Sequence, residues 1–218
     1  MEPEDVKEYT KIDYWNSRFA QEEAYDWLVT FADIEALLRE YIPVDRPIRI
    51  LHLGCGNSPL SVSLKTMLHP GSYLCNQDYS QVLIDSMKAL HGEIPGEFEW
   101  IVGDMTDLGS AGFPPCSFDV IIEKASLDAL TVNEGDPWNP REEVVENVRK
   151  VILGVAGLLK DDAKSVFLSI SFHQKHFRLK LLNGPENGFE IQVRDIPTTK
   201  SLPHFFYVCI PVENEQIK

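Results

Sequence analysis

The chain has 218 residues, 44% of them hydrophobic, four cysteines and a formal charge of −14. That length and composition fit one globular domain with an ordinary core, and the acidic charge argues against a nonspecific nucleic-acid binder while suiting a basic protein partner. No apolar run approaches the ~20 residues of a membrane span, and the acidic N terminus is unlike a signal or transit peptide, so a soluble, cytoplasmic protein is expected. Cys55, Cys75, Cys116 and Cys209 are too scattered for a zinc cage or a disulfide framework.

Residues 1–12 are polar and are expected to fray. The run D-Y-W-N-S-R-F then sets Tyr14, Trp15 and Phe19 on one helical face, with Trp15 and Phe19 four apart and in contact. A second aromatic group, Tyr25 and Trp27, leads into an amphipathic helix carrying Phe31, Ile34, Leu37, Leu38 and Tyr41, which Pro43 and Pro47 close. Ile48 to Leu53 reads as a first strand, Gly54-Cys55-Gly56 as a tight turn, and Leu60 to about Leu68 as the helix that follows. The second strand spans Ser72 to Asn76 with Asp78 just beyond it, and Ser80 caps the next helix.

Phe98 to Val102 is the third strand, again followed by an acid, Asp104. Phe118 to Ile122 is the fourth, running at once into E-K-A-S-L-D-A-L. Residues 131–139 read as a surface loop over the strand ends, Arg141 to Leu159 as a helix and Lys164 to Ile170 as a fifth strand. Phe189 to Ile196 and His204 to Ile210 are β-rich runs without a long helix between them, so an antiparallel pair at the sheet edge is expected.

The glycine turn is the stretch around which the rest is organised. Gly54 and Gly56 allow φ > 0 and carry no Cβ to hold a ligand away, while Asp78 is placed to accept both hydroxyls of a ribose. A dinucleotide fingerprint would want glycine where Pro59 stands, so the turn points to an adenosine-bearing ligand without a pyrophosphate. In open parallel sheets ligands sit beyond the carboxyl ends of strands, which brings Gly54, Asp78 and Asp104 to one crevice. His173 and His176 have no third ligand at metal spacing, and no metal site is expected.

L-G-C-G-N-S, Asp78-Tyr79-Ser80, F-D-V-I-I-E-K-A-S-L-D-A-L and D-Y-W-N-S-R-F with Tyr25-Asp26-Trp27 together resemble the class I S-adenosylmethionine-dependent methyltransferases. Within them the resemblance is to the branch that methylates lysines of translation elongation factor 1-alpha, and it covers about residues 13–210. It implies an α/β, Rossmann-like fold: a seven-stranded sheet of order 3-2-1-4-5-7-6, strand 7 antiparallel, with helices on both faces. It further implies S-adenosyl-L-methionine as cofactor, with contacts falling on Trp15, Phe19, Trp27, Gly54, Asp78, Tyr79, Asp104, Met105 and Lys124. By that resemblance Asp78 takes the ribose hydroxyls, Asp104 the adenine amino group, Tyr79 and Met105 the ring faces, and the tryptophans close the site from the N-terminal side.

Two positions depart from the pattern. His52 stands where many class I enzymes carry an acid in strand 1, and Phe19 where close relatives have tyrosine. Methyl transfer to a lysine needs alignment and a deprotonated amine, and no nucleophile or metal; Glu123 and Asp128, at the end of strand 4 and the start of the next helix, are the candidates for steering that lysine. The implied partner is a protein substrate, translation elongation factor 1-alpha; no direct contact to nucleic acid or membrane is expected, and of the oligomeric states, which the sequence leaves open, a monomer is favoured. A small-molecule methyltransferase and a non-catalytic binding module on the same scaffold are the alternatives.

Overall fold

The computed structural model describes residues 2–162, 164–183, 188–197 and 202–212. Seven strands form the central sheet: β1 (Arg49–Leu53), β2 (Tyr73–Asp78), β3 (Phe98–Val102), β4 (Val120–Lys124), β7 (Val166–Ser171), β8 (Phe189–Ile196) and β9 (His204–Pro211). Their spatial order is β3-β2-β1-β4-β7-β9-β8, with β9 antiparallel to both neighbours. The two remaining strands, β5 (Gly135–Asp136) and β6 (Asn139–Pro140), form a separate ribbon within the segment expected as a loop. Leaving that ribbon uncounted, the order is the expected 3-2-1-4-5-7-6.

The inner strands are covered on both faces, which is why they read as nearly continuous apolar runs. One core packs α1 (Ile12–Phe19), α2 (Phe31–Tyr41), α3 (Leu60–Met67) and α4 (Gln81–His91) against Ile50, Val120, Ile122 and Leu168. The opposite core packs α5 (Ser126–Thr131), α6 (Glu142–Leu158) and α7 (Lys175–Leu182) against Leu51, Leu53, Ile121 and Phe167. The stripe of Val144, Val148, Val151, Ile152 and Val155 on α6 is buried at the helical spacing that the sequence shows.

The structure corrects four local expectations. The N-terminal stretch is not frayed throughout: Val6–Thr10 is a 3-10 helix capped by Asp5, and Tyr9 docks on Trp15 and Trp27. β2 runs on to include Asp78, which pairs with Val102. β4 begins later and continues through Glu123 and Lys124, because each charge finds partners inside the fold. α7 occupies a stretch to which the sequence reading assigned no element. The polar turn expected between β8 and β9 lies mostly outside the described residues.

Candidate active site

A cavity of about 530 Å³ opens beyond the carboxyl ends of β1 to β4. Its floor is the turn after β1, where Gly54 and Gly56 take φ of +56° and +53°. A Cβ added at Gly54 would lie 2.2 Å from Ser126 Oγ, so the turn is pressed against the start of α5. The Ser126 hydroxyl donates to the Gly54 carbonyl at 2.9 Å and holds the two segments together.

Asp78 closes this floor from β2. Its carboxylate accepts the backbone N–H of Gly56 at 3.1 Å and of Ser80 at 3.0 Å. The α4 cap is Ser80 itself, whose hydroxyl accepts from Leu83 N–H at 3.2 Å. Burial raises the Asp78 carboxyl from its usual 3.8 to about 6, against the pull of those backbone donors. Beside it, half-buried Tyr79 and Met105 offer ring and thioether surfaces, and the exposed Asp104 caps the 3-10 helix Met105–Ala111 through the Thr106 N–H at 2.8 Å.

The roof is aromatic. Trp15 stacks on Phe19 at 5.5 Å and meets Trp27 edge-on at 5.9 Å. Tyr9, which the sequence reading passed over, adds its ring at 5.6 Å from Trp15 and 5.7 Å from Trp27, and its carbonyl accepts from the Trp15 indole N–H at 2.8 Å. Burial and the neighbouring Tyr14 push the Tyr9 phenol up to about 12, so it stays a neutral donor. Arg18, also missed, is buried with its guanidinium 4.7 Å from the Trp27 ring and 4.9 Å from Tyr25, while Glu22 takes two of its N–H groups.

The loop bearing Trp27 has little regular structure, and three side chains fasten it. Lys124 Nζ donates to the Trp27 carbonyl at 2.7 Å and reaches Asp26 at 3.3 Å; Ser58 donates to Asp26; Asn57 donates to the Glu22 carbonyl at 3.0 Å. Lys124 is therefore a tie between β4 and the roof as well as a wall of the cavity.

The cavity is also lined by Asp128, Asn133, Glu143, Asn147 and Phe172; Asp128 and Phe172 follow β4 and β7, across the sheet from Asp78 and Asp104 at the ends of β2 and β3. Asp128 is held by Arg178, by the Ser171 hydroxyl and by the Phe172 N–H. Glu123 does not line this cavity. Successive strand residues face opposite sides of a sheet, so Lys124 turns toward the roof and Glu123 toward α5. There Glu123 is fully buried, accepts from the N–H groups of Ser126 and Leu127 at 3.0 and 3.1 Å, and takes the Ser169 hydroxyl. Burial, with the Asp128 charge added, raises its carboxyl from 4.5 to about 7.

The structure thus brings Trp15, Phe19, Trp27, Gly54, Asp78, Tyr79, Asp104, Met105 and Lys124 to one cavity together with Asp128, and sets Glu123 behind it. His52 faces α3 instead, with Nδ1 3.0 Å from Ser61 Oγ, and burial lowers it to about 3, so it is neutral. A nucleoside with an amino-acid tail fits this set: the volume is that of a small-molecule cleft, a buried carboxylate stands beside a glycine turn, and rings and a thioether line the walls.

No family model matches the sequence. Among curated proteins, mouse EEF1A lysine methyltransferase 4 is 33% identical over 210 residues, covering 94% of this chain and 77% of that protein. The chain belongs to the eEF1A lysine methyltransferase family. It is an S-adenosylmethionine-dependent methyltransferase. The human eEF1A lysine and N-terminal methyltransferase is 26% identical over 219 residues, of which this chain spans 29%. Among solved structures, a SAM-dependent methyltransferase from Methanosarcina mazei matches 81% of the chain and 98% of its own at a TM-score of 0.56 and 16% identity. The [4+2]-cyclase SpnF covers 95% of both chains at a TM-score of 0.62 and 13% identity, a likeness of fold alone.

Proposed function

We propose that the protein transfers a methyl group from S-adenosylmethionine to the ε-amine of a lysine in translation elongation factor 1-alpha. The observation that carries this reading is the asymmetry of the cavity: Asp78, Tyr79, Asp104 and Met105 at one end, the carboxylates of Asp128 and Glu143 at the other. The first end suits an adenosine, and the second suits an incoming cation. The substrate named for mouse EEF1A lysine methyltransferase 4 supports the choice of cation. A cytoplasmic location, where translation elongation takes place, belongs to the same proposal, as does a working monomer.

When bound, the cofactor supplies a methyl carbon on a positively charged sulfur, already activated for displacement. The chain's own work is therefore positioning and desolvation. Asp78 would accept the ribose hydroxyls through lone pairs left over from its backbone bonds, and Asp104 would accept from the adenine amino group. Tyr9, Trp15 and Trp27 keep water from the cavity, and a dry surrounding lowers the pKa of a lysine amine toward its neutral form. Asp128 orients that amine. Glu123 acts indirectly, fixing the first turn of α5 on which Asp128 stands.

The test incubates the protein with methyl-labelled cofactor and purified elongation factor 1-alpha, alongside a cytosolic extract depleted of that factor. Label on lysines of the factor, with little in the depleted extract, is the expected result. Label confined to small molecules or to other proteins would overturn the substrate assignment.

A further inference from the structure

Asp128 lines the acceptor end of the cavity, but its carboxylate is governed from below. Arg178 of α7 is fully buried, and its Nη2 donates to Asp128 and, at 3.1 Å, to Ser171 Oγ. Ser171 donates to the same Asp128 oxygen, so the guanidinium, hydroxyl and carboxylate form a closed triangle. Other titratable groups face it: Glu123 from β4, Glu134 and His173 from the flanking loops, and Tyr207 from β9.

These groups leave Arg178 as the fixed cation of the neighbourhood. His173 lies 3.3 Å from Glu134, yet burial and then Arg178 itself lower its ring to about 4, which keeps it neutral at neutral pH. Glu123 is pushed up to about 7 by burial and by Asp128, against the pull of Arg178 and of its own hydrogen bonds. Burial raises Asp128 as well, and Arg178 leads the groups that draw it back. The Asp128 charge bears on Glu123, so the two carboxylates do not ionise independently; Arg178 draws on both, and the one it touches is Asp128.

We propose that Arg178 is a positioning residue for methyl transfer, fixing the negative charge on Asp128, and not on Glu123, at the acceptor end of the cavity. The inference rests on reading that end as the lysine site. It adds that the charge met by the lysine is set by a residue that never touches it.

The experiment follows the Asp128 carboxyl directly, by carbon NMR of protein labelled at aspartate carboxyls, with the resonance assigned by its loss in D128N. Wild type, R178M and R178K are titrated from about pH 5 to about pH 9, and turnover on elongation factor 1-alpha is measured over the same range. Without the cation in R178M, the Asp128 midpoint should rise by about one pH unit or more, and turnover should fall in step with the fraction of Asp128 left ionised and recover toward pH 9. R178K keeps the charge and should restore both profiles, while cofactor affinity stays unchanged in all three. An unshifted Asp128 resonance in R178M, or a turnover loss that is independent of pH and not rescued by lysine, would overturn the proposal. Should R178M fail to fold, R178K alone decides, since a wild-type titration is required of it. A shifted resonance in a protein that leaves the elongation factor unlabelled would refute the substrate reading while upholding the charge assignment.

Discussion

Replacing Asp78 by asparagine should stabilise the empty protein and abolish cofactor binding. Asp78 titrates at about 6 in the folded chain against an ordinary 3.8, with burial as the main cause. Between those two pH values the unfolded chain holds fewer protons at this position than the folded one, so its contribution to stability falls as pH rises through that window. At 1.36 kcal/mol per pH unit, keeping the carboxylate charged above pH 6 costs the fold about 3 kcal/mol. Asparagine removes that cost and gives up one acceptor oxygen, worth about 1 kcal/mol, since the Gly56 and Ser80 amides sit on different oxygens. The net gain of about 2 kcal/mol corresponds to a rise in Tm of about 4–8 °C for a chain of this size.

Calorimetric melting should show that gain well above pH 6 and lose it near pH 4, where the wild-type carboxyl is protonated as well. Cofactor at about 100 times its dissociation constant should add about 2.7 kcal/mol to wild type and nothing to the variant. A Tm lowered equally at both pH values, with cofactor stabilisation retained, would refute the reasoning and make Asp78 a brace for the turn into α4.

Two further variants separate roles at the same site. Gly54→Ala combines φ of +56° with a Cβ 2.2 Å from Ser126 Oγ, so a loss of about 2–4 kcal/mol and of cofactor affinity is expected from melting and titration; the added variant Ser126→Gly should relieve the collision while leaving the backbone strain. Glu123→Gln keeps an acceptor for the Ser126 and Leu127 amides and offers a donor to Ser169, so kcat should stay within about threefold of wild type, whereas a loss of about 100-fold or more would restore Glu123 to a direct chemical role.

The parts of the site that were legible in the sequence are those encoded locally. Gly54, Asp78 and Asp104 each follow or finish a strand, and a parallel sheet carries all such ends to one side. Tyr9 was hidden because its place depends on Trp15 and Trp27 arriving beside it. That Glu123 faces away from the cavity was not legible because β4 is buried on both faces, and an apolar run covered on both sides gives no alternation from which to read direction. Arg178 looks like any surface cation on a short helix, and its partner Asp128 lies 50 residues away.

The place of β9 bears on how the enzyme is made. It is the latest of the seven strands in sequence, yet it lies inside the sheet between β7 and β8, buried along most of its length. During synthesis β1 to β4, the glycine turn and Asp78 are complete long before residue 204 leaves the ribosome. The acceptor end is not, because Tyr207 pairs with Ser169 in register and its hydroxyl donates to the His173 carbonyl beside the Arg178 network. A growing chain therefore has the residues of the cofactor floor in hand well before those that complete the seat for its substrate.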